Sequence, residues 1–135
     1  MSWVPTDKEI ADVLAADAGH RYEYFVHRVC ETRAVWALYQ DGWASVTEDA
    51  GEPMIPFWPH AAFAAAFARG AWAGFEPRKI DLADFLETWI PGMRKQGVQP
   101  AVFPAPSSTS AVVSVEDLDR VLRHELDHVY GITEP

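Results

Sequence analysis

Near its C-terminal end the chain reads His124-Glu125-Leu126-Asp127-His128, an H-E-x-x-H pattern. On a helix the two histidines fall one turn apart on one face and can both ligate zinc, while the glutamate activates a metal-bound water. Taken alone, that chemistry is a zinc hydrolase's. A hydrolytic site needs a third protein ligand, and the motif stops seven residues short of the last residue, so the expectation is that no downstream segment supplies one. A helical wheel sets Glu125 beside Leu118, Leu122 and Val129 and turns His124 towards the polar flank with Arg120. Asp117 and Asp127 would hold both histidines more protonated, which opposes metal binding. The expected reading is therefore a solvated helix flank with no catalytic residue and no cofactor, in a chain that folds without zinc. His124 and His128 stay available as a two-ligand surface pair.

A second constellation surrounds Trp58-Pro59-His60, where a strand runs into a helix start. Backbone amides and the positive end of a helix dipole converge at such a point. With His60 there, an aromatic wall from Trp58 and Trp72, and Glu76 and Arg78 returning nearby, the cluster could bind a small anion or carry acid–base chemistry. The plainer alternative makes Trp58 core, Pro59 a helix starter, and Glu76–Arg78 an ion pair that fixes a loop. Six tryptophans, four tyrosines and seven phenylalanines are an aromatic excess that suits either core or interface. Trp3 lies outside every periodic element and is the one expected to face a partner. Cys30 has no second cysteine in the chain and reads as a small buried hydrophobe. His20 and His27 are two turns apart, too far for a shared metal. Neither G-x-S-x-G, S-x-x-K nor a glycine-rich phosphate turn occurs.

The elements that must position these residues come from one domain, residues 1–135. Apolar residues are 49% and charged residues 23% of the chain, enough for a core without disulfides or a structural metal. Eleven basic against 20 acidic residues give a net charge of −9, which argues against nucleic acid or an anionic membrane as partner. No basic-then-apolar leader opens the chain, and no apolar run is long enough to span a bilayer. The expected location is cytoplasmic.

Thr6-x-x-Glu9 is a capping box that opens a first helix to about residue 16. After Gly19, the spacing of Tyr22, Phe25, Val26 and Val29 predicts a second helix ending near residue 32. Residues 34–39, 43–47 and 53–58 read as strands joined by a tight turn at Asp41-Gly42 and a polar turn at residues 48–52. Pro53 and Pro56 demand an edge or irregular position. A third helix runs from Pro59 to Gly70, and residues 71–78 read as a loop packed by its aromatics. Asp81 caps a fourth, with Leu82, Phe85, Leu86 and Trp89 inward, that Pro91-Gly92 bends or stops. Residues 98–103 and 111–113 read as a hairpin flanking a loop at residues 104–110. Ser114 then caps a last helix with Leu118, Val121, Leu122, Leu126 and Val129 inward. The expected fold is α+β: a mostly antiparallel sheet, made of a three-stranded meander plus a C-terminal hairpin, packed by about five helices.

Several segments carry a resemblance: Arg21-Tyr22-Glu23-Tyr24-Phe25, Val35-Trp36-Ala37-Leu38-Tyr39, Gly42-Trp43-Ala44, Ile55-Pro56-Phe57-Trp58-Pro59-His60, Trp72-Ala73-Gly74-Phe75-Glu76-Pro77-Arg78, Asp84-Phe85-Leu86, Trp89-Ile90-Pro91 and Ala101-Val102-Phe103-Pro104. Together they resemble a family of small bacterial proteins known only as a domain of unknown function, over a core of about residues 20–129. The resemblance implies a stand-alone cytosolic domain and no reaction; the H-E-x-x-H pattern is not a mark of that family. The acidic surface, the aromatic excess and the incomplete catalytic sets together favour a non-catalytic protein-binding module, immunity- or adaptor-like. A basic protein partner fits its charge, and a homodimer is compatible. The competing class is a small enzyme or anionic-ligand sensor built on His60, Glu76 and Arg78.

Overall fold

The computed structural model describes residues 4–40, 42–47, 53–68, 73–104 and 111–130, with backbone alone at residues 46, 47, 53, 111, 112, 129 and 130. Trp3, Asp41, the turn at residues 48–52, Gly70, Trp72 and the loop at residues 105–110 lie outside the described residues, as does the side chain of Val129.

Helix α1 spans Asp7–Ala15, and the Thr6 hydroxyl accepts from the Glu9 amide at 3.1 Å. Only half of the expected capping box forms. The Glu9 carboxylate instead accepts from the Tyr24 hydroxyl and the Arg28 guanidinium, tying α1 to α2. Helix α2 spans Ala18–Thr32, with the Asp17 side chain accepting from the His20 amide at 2.9 Å. The interruption between the two helices thus falls at Ala16-Asp17, and Gly19 lies inside the first turn of α2. Arg33, in the left-handed region at φ 62°, ends α2 and delivers the chain directly into β1, Ala34–Tyr39.

The remaining elements are β2 (Val46–Thr47), β3 (Pro53–Phe57), α3 (Ala61–Phe67) and β4 (Glu76–Asp81). A continuous helical run over residues 82–96 follows, made of α4 (Leu82–Asp84), a π-helical segment (Phe85–Trp89) and α5 (Ile90–Gln96). Then come β5 (Gln99–Val102), β6 (Ala111–Val112) and α6 (Val115–Tyr130). The α+β class holds, and β5 and β6 pair antiparallel, Ala101 opposite Val112.

The three-stranded meander does not form. β1 pairs with β4, antiparallel, from Ala34 opposite Asp81 to Tyr39 opposite Glu76. β2 pairs with β3 in a separate four-stranded sheet of order β2-β3-β5-β6, and β3 runs parallel to β5, so that sheet is mixed rather than antiparallel. The tight turn after β1 is present: the Gln40 amide reaches the Gly42 carbonyl at 3.0 Å, and Gly42 takes φ 156°, which L side chains rarely adopt. It returns the chain only as far as Trp43 and Ala44 before β2 departs to the other sheet. The two sheets meet where Trp36 and Trp58 exchange both backbone hydrogen bonds, at 2.9 and 2.8 Å. Parallel pairing of β3 with β5 requires a long crossover, which α3, β4 and the helical run supply.

Residues 76–78 were expected in a loop and belong to β4. Pro77 and the four exposed charged residues of β4 hid a strand whose one buried residue is Ile80. The helix does not stop at Pro91 either. Proline removes an amide and crowds the carbonyl one turn back, and the preceding π-helical turn, closed by the Ile90 amide on the Phe85 carbonyl, takes up that misfit.

Phe25, Val29, Leu38, Phe57, Trp58, Phe63, Phe85, Phe103, Leu118 and Leu122 are fully buried and form one core with their neighbours. Arg21 is buried with them. Its guanidinium donates to the Phe103 carbonyl at 3.0 Å and to the Ala16 carbonyl, while the Trp58 indole donates to the Pro104 carbonyl at 2.9 Å. These donors hold a corner where Phe103 sits at φ 54°.

Candidate functional site

An aromatic run leads from the core to the surface. Phe85 packs edge-on against Phe57 at 4.9 Å between centroids, and Phe57 against Trp89 at 5.8 Å. Trp89 meets Trp43 at 4.8 Å and 77°, and Trp43 meets Tyr39 at 5.0 Å and 73°. The Arg78 guanidinium lies over the Tyr39 ring, 4.3 Å from its centroid. Edge-to-face contacts of this kind fix ring orientation as well as burying area. The run begins fully buried at Phe57 and Phe85 and ends at Trp43, 38% exposed. Among the described residues only Val4 is a more exposed large apolar side chain.

Each member is placed by a local feature. Tyr39 is the last residue of β1; Trp43 follows the tight turn; Trp89 closes the π-helical segment; Arg78 is carried by β4. Alternation along paired strands puts Tyr39, Glu76 and Arg78 on one face of the β1–β4 ribbon, with Glu76 directly opposite Tyr39.

Trp36 alternates to the other face, where its ring stands 6.0 Å from that of His60. The structure therefore groups His60 with Trp36, and Arg78 with Tyr39, on opposite faces of the ribbon. His60 is the N-cap of α3 and not its second residue: its Nδ1 accepts from the Ala62 amide at 3.0 Å. Trp58 is core, fully buried and 5.3 Å from Phe67. Glu76 and Arg78 make no ion pair with each other among the described residues. Trp72 lies outside those residues.

On α6, His124 and His128 are both exposed and stack on each other at 4.1 Å and 28°. Glu125 turns the other way, to within 3.5 Å of the His27 Nδ1 on α2. Its carboxylate engages His27, while the two imidazoles engage each other. Among the described residues no group of three His, Cys, Asp or Glu side chains could hold a metal ion.

Sequence reasoning passed over Tyr39 and did not mark Trp43 as exposed. No local signal marks that exposure: Trp43 bridges Tyr39 across the turn, and how far its ring is covered depends on the distant Trp89.

The fold and this face define an α+β domain with a surface-reaching aromatic run. Residues 22–122 match the family described as "Protein of unknown function (DUF2750)", and the chain belongs to that family. No curated protein and no solved structure matches the chain. Among the described residues no helix is long and apolar enough to cross a membrane.

Proposed function

We propose that the chain is a non-catalytic, cytoplasmic protein-binding module whose contact face is Tyr39, Trp43 and Trp89 with Arg78. The observation that carries this is the aromatic run that surfaces at Trp43, 38% exposed and braced by the rings of Tyr39 and Trp89. Tryptophan, tyrosine and arginine are the residue types that concentrate binding energy in protein interfaces. Holding them by ring contacts before a partner arrives lowers the entropy lost on binding. The net charge of −9 favours a partner whose surface is basic overall, consistent with an immunity- or adaptor-like role.

The competing reading, an anionic-ligand sensor or small enzyme around His60, has fewer groups to offer. The His60 Nδ1 serves its own helix, the Trp58 indole N–H serves the Pro104 carbonyl, and α3 is only seven residues long.

Affinity capture from native cells with wild-type protein, Trp43→Ala and a surface control such as Lys95→Ala tests the proposal. The expected result is a partner retained by wild type and control and weakened about 30-fold or more by Trp43→Ala, with a cooperative melting transition above the capture temperature retained by the variant. The same partner set held equally by Trp43→Ala would remove this face from the reading.

A further inference from the structure

Among the described residues, Arg78 differs from the arginines of this acidic chain that pair with carboxylates. Arg28 pairs with Glu9 and Glu31, Arg94 with Glu116, Arg120 with Asp117, and Arg123 with Asp119. Arg21 is spent on backbone carbonyls in the core. Arg78 is exposed, and among the described residues no carboxylate pairs with it, in a chain of 20 acids and 11 bases. Among the described residues its partner is a ring face: the guanidinium lies 4.3 Å from the Tyr39 centroid. Stacking leaves the in-plane N–H donors of a guanidinium pointing outward, in a fork that matches a carboxylate with two parallel hydrogen bonds. Trp43, partly exposed, offers apolar surface in edge contact with the same Tyr39 ring.

Resting on the reading of this face as a contact surface, we infer that it takes a peptide segment of a partner protein that sets one Asp or Glu carboxylate on Arg78 and a bulky apolar side chain against Trp43. Glu76, opposite Tyr39 on the same ribbon face, limits the pattern. It repels a second carboxylate one alternate position along and welcomes an amide or a cation there. The segment therefore carries a single acid beside an apolar residue, not an acidic tract. A polyanion is disfavoured twice, by Glu76 locally and by the net charge of −9 over the whole molecule. A basic partner surface with one acid at the contact satisfies both scales.

The test is selection of short random peptides displayed on phage against the immobilised full chain. Winning peptides are then titrated against wild type, Trp43→Ala, Arg78→Ala, Arg78→Lys and Glu76→Gln. The expected winners place one Asp or Glu next to Leu, Phe or Trp. Arg78→Ala weakens them about tenfold or more, and replacing the peptide's acid by its amide costs about the same, with no further loss when both changes are combined. Arg78→Lys recovers only part of the affinity, and Glu76→Gln tightens binding of peptides carrying a second acid. Winners that need Trp43 but bind Arg78→Ala as well as wild type would overturn the carboxylate assignment and leave the contact face standing. If no winner depends on Trp43, the face and the assignment fall together. Cooperative melting well above the titration temperature in every variant keeps a folding defect from imitating either result.

Discussion

Cys30 sits where α2 meets α6, fully buried, its thiol donating weakly to the Leu122 carbonyl at 3.6 Å. Burial pushes the thiol up to about 12, with the Glu125 carboxylate adding to the shift. Burial likewise raises the hydroxyls of Tyr22 and Tyr24 above the ordinary tyrosine value, the hydrogen bond to Glu9 adding to the shift at Tyr24. All three groups hold their protons more tightly folded than unfolded. Such groups stabilise the fold below their unfolded pKa and lose that contribution as pH climbs through the folded one. For Cys30 the window runs from the ordinary thiol value of 9.0 to about 12. The urea midpoint should therefore fall across that window, and Cys30→Ala should flatten part of the fall. A Cys30→Ala profile as steep as wild type would assign the loss to groups other than Cys30. The burial of Cys30 was legible because a lone cysteine on an apolar helix face has few other roles. The exposure of Trp43 was not, because whether a tryptophan after a turn is covered depends on what distant residues such as Trp89 do.

At the level of elements, helices were readable and strand partners were not. Periodicity and caps placed α1, α2 and α6 to within a residue or two, since a helix satisfies its hydrogen bonds within its own segment. A strand is defined by its neighbour, and the neighbour of β1 comes some forty residues later in the sequence. The proline rule held in a form the sequence could not specify. β3 lies between β2 and β5, yet β2 accompanies it only at Pro53 and Met54, so Pro56 falls where that side carries no ladder. Helix α1 shows the same dependence on distant groups. None of its residues is fully buried, and Ile10, Val13 and Leu14 only rest on the core. Its firmest tether is the Glu9 carboxylate, shared by Tyr24 and by Arg28 at 3.2 Å. Losing two hydrogen bonds to a charged group should free α1 locally, not unfold the domain. In Glu9→Ala, amide exchange over residues 7–15 should accelerate about tenfold or more while that of the buried half of α2 stays unchanged. Uniform acceleration across both helices would mean that α1 and the core open as one unit.

Over the whole molecule, 20 acids against 11 bases leave a compact body carrying −9, with self-repulsion that folding makes worse by bringing the charges together. Among the described residues, two of the ion pairs that oppose it, Lys8–Asp12 and Arg120–Asp117, are exposed and within one helix, and pairs of that kind contribute little. Glu9–Arg28 and Asp119–Arg123 are better covered, and salt screens them less. Added salt therefore weakens the repulsion more than it weakens the attractive pairs. Raising sodium chloride from about 20 to about 500 mM, where screening shortens from tens of ångströms to a few, should raise the melting midpoint by roughly 3–5 °C, near what 1 kcal/mol is worth at this size. Chloride is the proper choice, because sulfate would strengthen apolar burial by itself and give a rise for another reason. A midpoint that falls with sodium chloride would mean the surface ion pairs outweigh the net repulsion. The acidity would then be built into the fold's own stability and would not be a field held ready for a basic partner.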